Sequence, residues 1–73
     1  MSNKQIASLL DTTMTNAGYI DDYAEILHGA LDDGIDVKAV HEETIAGIKF
    51  INEYLNHDYD VELWNRDYRE MTE

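Results

Sequence analysis

The 73-residue chain carries sixteen Asp and Glu against five Lys and Arg, a net charge of −11, with 44% apolar residues and neither cysteine nor proline. No disulfide framework and no thiolate metal site can form, and the apolar fraction is too high for compositional disorder. No apolar run reaches the roughly 20 residues needed to cross a bilayer, and the start, Met-Ser-Asn-Lys-Gln, lacks the apolar stretch of a secretory signal. The expectation is a single cytoplasmic domain, near the lower size limit for folding on its own core.

Apolar residues recur at helical spacing nearly throughout, which predicts an all-α fold, a three- or four-helix bundle. The first segment covers about 3–16. Ser2 and Gln5 form a capping box, Met1 is placed to staple onto Ile6, and Ile6, Leu9, Leu10 and Met14 make the apolar stripe. Gly18 suits its C-terminal stop.

A second segment is predicted over about 20–33, with a D-x-x-E start at Asp22 and Glu25 and a stop at Gly34. Ile20, Tyr23, Ala24, Leu27, Ala30 and Leu31 line its inner side, with Tyr19 and Ile26 left toward solvent. The third, about 37–56, has Asp36 as N-cap and Ile35 placed to staple onto Val40. Its main stripe runs through Val37, Val40, Thr44, Ile48, Ile51 and Leu55. The fourth covers about 61–71, capped by Asp60, with Tyr59 packing on Trp64 and a stripe of Val61, Trp64, Tyr68 and Met71. Trp64 decides whether this terminal segment docks.

Charge is unevenly placed along these segments. Residues 1–18 sum to zero, 19–36 to −6, 37–57 to −1 and 58–73 to −4. The second segment holds Asp21, Asp22, Glu25, Asp32, Asp33 and Asp36 with no Lys or Arg among them. Like charges on one helical face each cost a few tenths of a kcal/mol, so an acidic column has a local cost and no local benefit. A solvated polar face accounts for part of it; a basic partner accounts for the rest.

The third segment carries a second apolar line, Gly47, Phe50 and Tyr54, offset from its main stripe. It is either a contact with a neighbouring helix or an interface, where aromatics are enriched.

Length and acidity resemble acyl carrier proteins, but the only serines are Ser2 and Ser8, and neither stands in the Asp-Ser-Leu motif that carries the prosthetic group. The likeness to colicin-type immunity proteins also stops at size and charge, because their Asp-Leu-Ile-Tyr-Tyr-Pro segment is missing. Asn56, Asp58, Asp60 and Glu62 alternate like the opening of a calcium loop, yet Val61 and Asp67 stand where glycine and the bidentate glutamate belong. His41-Glu42-Glu43 is followed by Thr44 and Ile45, not by the second histidine of a zinc motif. No glycine-rich phosphate loop and no serine or cysteine nucleophile with a base is present, so no cofactor, metal or catalysis is expected.

The leading expectation is a protein-binding module whose acidic face occludes a basic, nucleic-acid-binding surface on a partner protein, without touching nucleic acid or membrane itself. The alternative is a helical protein that self-associates, a homodimer through Gly47, Phe50 and Tyr54, whose acidity serves only solubility.

Overall fold

A computed structural model describes residues 1–73 and contains four helices and no strand, with 75% of the chain helical. α1 spans Asn3–Asn16, α2 Tyr23–Asp32, α3 Val37–Leu55 and α4 Val61–Thr72. No helix is long and apolar enough to cross a membrane.

The helix ends follow the capping residues. Ser2 Oγ accepts from the Gln5 amide at 3.1 Å while the Gln5 side chain accepts from the Ser2 amide at 2.7 Å. Asp36 caps α3 through the Lys38 and Ala39 amides, and Asp60 caps α4 through the Leu63 amide. α1 and α2 close alike. Gly18 (φ +87°) and Gly34 (φ +76°) adopt the left-handed conformation, and the next residue's amide reaches back, Tyr19 to the Met14 carbonyl and Ile35 to that of Ala30. α3 ends one residue earlier than its spacing predicts because Asn56 takes the left-handed conformation (φ 56°).

α2 departs most from expectation. It starts at Tyr23, three residues late, because residues 18–22 form a turn closed by the Asp22 amide on the Gly18 carbonyl at 2.7 Å. Asp22 therefore occupies the N-cap, yet its side chain makes no capping bond.

α2, α3 and α4 pack on one another, whereas α1 packs on α3 alone. α1 and α3 run antiparallel: Asp11 lies by Tyr59 beyond the end of α3, Met14 lies by Gly47, and Tyr19 by Val40. The core is Met14, Tyr23, Leu27, Val37, Ile48, Ile51 and Trp64. Ala7 is fully buried as well. Trp64 docks α4: its indole N–H donates to the Tyr19 carbonyl at 3.1 Å, and Tyr23 and Tyr59 meet its ring edge-on.

Several predicted core positions lie outside. On α1 the buried line runs through Ala7, Leu10 and Met14, leaving Ile6 41% and Leu9 57% exposed. A helix with one neighbour buries only a narrow strip, and the strip is set by where Gly47 lets α1 come close. Met1 is 83% exposed and does not staple onto Ile6. Leu31 is exposed at the end of α2, one residue before Asp32, and Ala24 is exposed in the cleft between α2 and α4. Tyr19 and Ile26, by contrast, are half-buried against the 18–22 turn and the core.

Candidate functional site

All six acidic residues of the second segment, Asp21, Asp22, Glu25, Asp32, Asp33 and Asp36, are exposed. Tyr23 and Leu27 turn inward, and the helical period then sends Glu25 and Asp32, seven residues apart, to the outer face. Asp21 and Asp22 sit in the turn before α2, while Asp33 and Asp36 sit beyond its end. The six therefore outline both ends and the outer face of one short helix, and Asp22 stands beside the Glu25–Asp32 line rather than on the helix itself.

No Lys or Arg comes within ion-pair distance of any carboxylate; the one basic side chain near a carboxylate is His57, whose Nε2 lies 3.6 Å from Asp11 Oδ2. The acidic surface is thus uncompensated from within. α4 extends it: a shallow cleft of about 210 Å³ between α2 and α4 is lined by Ala24, His28, Asp67, Glu70 and Met71. The placement of Asp67 and Glu70 beside α2 was not legible in the sequence, because it depends on α4 running parallel to α2.

Below this face lies a polar network that ties the three packed helices. The Tyr23 hydroxyl of α2 donates to His41 Nδ1 of α3 at 2.7 Å, and His41 Nε2–H donates to Asn65 Oδ1 of α4 at 2.9 Å. Tyr68 stacks on the imidazole at 4.2 Å between centroids. Burial pushes the Tyr23 hydroxyl up to about 12, so it keeps the proton it donates. No buried side-chain polar atom is left without a partner. These residues position α2 against α4; Tyr23 and His41 are buried, while Asn65 and Tyr68 are half-buried.

The second apolar line divides. Gly47 faces α1, where an added Cβ would lie 3.4 Å from Leu10 Cδ2 and 3.6 Å from Met14 Sδ, so the helix that approaches it belongs to the same chain. Phe50 is half-buried and Tyr54 is 37% exposed, their rings 4.7 Å apart. No three His, Asp or Glu side chains converge as metal ligands. Asn56, Asp58, Asp60 and Glu62 form the α3–α4 turn and the start of α4, where Asp60 serves as the cap. A cleft of about 250 Å³ opens between α1 and α3, with Leu10, Met14, Val40 and Gly47 among its walls.

No protein-family model matches the chain, and neither does any curated protein or solved structure.

Proposed function

We propose that the chain is a small cytoplasmic protein-binding module, without catalytic activity, whose α2 face covers a basic surface on a partner protein. The observation that carries this reading is the absence of any internal Lys or Arg partner for the exposed carboxylates around α2. A helix that needed only solubility would gain from interspersed Lys, which relieves like-charge repulsion. The α2 surface forgoes that gain, and Asp67 and Glu70 of α4 deepen its negative field.

The partner's chemistry follows from the field. Rows of carboxylates attract the Lys- and Arg-rich channels that otherwise hold nucleic-acid phosphates, so the module competes with DNA or RNA by occlusion. Charge of this kind accelerates encounter, while apolar contacts set the lifetime of the complex. Leu31 and Ile35, 47% and 50% exposed among these acids, supply that apolar element.

The test is capture of partners from the native host at low and high salt, followed by kinetics on the protein captured. Association should slow steeply with salt. Replacing Asp22, Glu25 and Asp32 with Asn, Gln and Asn should leave the helical signal intact and cut the on-rate. If the triple variant associates with the captured partner as fast as the parent at low salt, the acidic face serves solvation only.

A further inference from the structure

α1 packs on α3 alone, so an open groove runs along the pair on the flank away from α4. Asp11 of α1 and Asn52 of α3 mark the closed flank, where both bond Tyr59 of the α3–α4 loop. At about 100° per residue, Ile6 and Leu9 stand roughly 140–160° round α1 from Asp11, and Phe50 and Tyr54 about 160° round α3 from Asn52. These side chains border the open flank, and each is exposed or half-buried. Because the two helices run antiparallel, the groove leads from Ile6 and Tyr54 at one end to the C-terminal end of α1 at the other.

At that second end the groove deepens into the cleft of about 250 Å³, with Leu10, Met14, Val40 and Gly47 among its walls. Glu43 is the one charged residue lining it, and it is exposed. No Lys or Arg pairs with this carboxylate, and its neighbours one turn away, Ala39, Val40, Ala46 and Gly47, are all uncharged. Lys38 and Lys49 stand about 120–140° round α3 from it. The last turn of α1, which supplies Met14 to the cleft, holds no basic side chain either, so the negative end of that helix is uncompensated. Apolar walls and two sources of negative potential converge on one cavity.

We propose that this groove docks a basic amphipathic helix of a partner protein, with its apolar side chains on Ile6, Leu9, Phe50 and Tyr54 and a Lys or Arg in the cleft against Glu43. Such a side chain has an apolar stem and a cationic head, which matches apolar walls with a single carboxylate at the mouth. A second copy of this chain brings a net charge of −11 to a flank that already exposes Glu43 and Glu53. Nucleic acid and anionic bilayers are repelled by the same charge. The cleft is smaller than the roughly 300–1,000 Å³ of small-molecule sites, and suits one inserted side chain. Length agrees as well: from Glu43 to Tyr54 α3 rises about 17 Å, which roughly three turns of a docked helix span. A helix laid in this groove gives α1 the second neighbour it lacks. The groove belongs to α1 and α3 and does not rest on the α2 face having a partner.

The test titrates the full chain with a synthetic peptide of Leu and Lys, about 14 residues long, its Leu at the spacing of one helical face. Binding is followed by backbone amide NMR at physiological salt. The amides of Leu9, Leu10, Gly47 and Tyr54 should shift most. Glu43→Gln and, separately, Leu9→Ser should each weaken binding about tenfold, through loss of a charge-assisted contact or of a buried leucine. Both positions are exposed, so the helical spectrum of the chain should not change. Replacing Asp22, Glu25 and Asp32 with Asn, Gln and Asn should alter binding less than about threefold, because screening at this salt separates the two surfaces. The same peptide with Glu in place of Lys should not bind. If the acidic and basic peptides bind alike, charge does not choose the occupant and the proposal is overturned. It is overturned equally if the basic peptide fails to bind at millimolar concentration, or if Glu43→Gln and Leu9→Ser both bind it as the parent does. Shifts gathered on Glu25 and Asp32, and lost in the triple variant, would place the peptide on the α2 face and leave only that reading standing.

Discussion

Tyr59 donates its hydroxyl to the Asp11 carboxylate at 2.8 Å, joining groups 48 residues apart in the chain. The same carboxylate lies 3.6 Å from His57, whose ring stacks on Tyr59, so one acidic group of α1 holds the α3–α4 loop twice. Because α1 packs on α3 alone, this link is its one side-chain hydrogen bond to the rest of the fold. A double-mutant cycle of Asp11→Asn and Tyr59→Phe should return a coupling of about 1 kcal/mol in urea unfolding, in the range of a partly exposed hydrogen bond to a charged group. Additive effects of the two substitutions would show that the bond contributes nothing to stability.

Alkali should unfold the protein by ionising the buried Tyr23 hydroxyl. Burial raises the Tyr23 hydroxyl to about 12, and Tyr59 is raised too, first by burial and then by its bond to Asp11. A raised folded-state value means that the folded chain holds the proton more tightly than the unfolded one. The stabilisation is complete below the ordinary tyrosine value of about 10 and is lost as pH climbs through the raised value. Ultraviolet titration should therefore show a late, cooperative step, above the ordinary tyrosine value, that coincides with loss of helix. Tyr23→Phe should remove most of that step. Simultaneous ionisation of all five tyrosines near pH 10, with the helices intact, would contradict it.

Trp64 should be the largest single determinant of stability. It is 5% exposed, donates to the Tyr19 carbonyl and touches two tyrosine rings, so it fastens α4 to both α2 and the turn before it. Trp64→Ala should cost about 3–5 kcal/mol, enough to unfold a domain this small under mild conditions. Trp64→Phe keeps most of the packing but strands the Tyr19 carbonyl, at about 1–3 kcal/mol. Native fluorescence should be blue-shifted and move red on unfolding. Water-like emission from the folded protein would mean that α4 is undocked.

Caps and turns were the most legible part of the sequence. Ser2 with Gln5, Asp36, Asp60, Gly18 and Gly34 each signal a helix end through their own side chain or conformational freedom, and each stands where its chemistry requires. Which face of a helix is buried was less legible where a helix has few neighbours. Ile6 and Leu9 satisfy the period as well as Ala7 does; Ala7 wins because α1 meets only α3, and small residues let the two approach closely. The polar network was not legible either: His41 sits at the margin of its stripe by spacing alone, and only the parallel run of α2 beside α4 brings Tyr23 and Asn65 to its two nitrogens. The acidic face of α2 followed directly from Tyr23 and Leu27 turning inward; its extension by Asp67 and Glu70 did not.

Two glycines flanking the same short stretch of α2 should respond to alanine with opposite signs. Gly29 lies within the helix, exposed, with nothing within 4 Å of an added Cβ. Alanine there removes unfolded-state freedom and raises helix propensity without a clash, for a gain of about 0.5–1 kcal/mol. Gly34 also has open space around it, so sterics with neighbours would predict the same gain. Its backbone, however, sits at φ +76°, closing the turn through the Gly34 and Ile35 amides on the Leu31 and Ala30 carbonyls. Alanine pays about 1–2 kcal/mol for that conformation. Thermal unfolding of Gly29→Ala should shift upward and of Gly34→Ala downward. Equal shifts of the same sign would mean that the turn after α2 relaxes when its glycine is lost, and the left-handed closure would then not be what ends the helix.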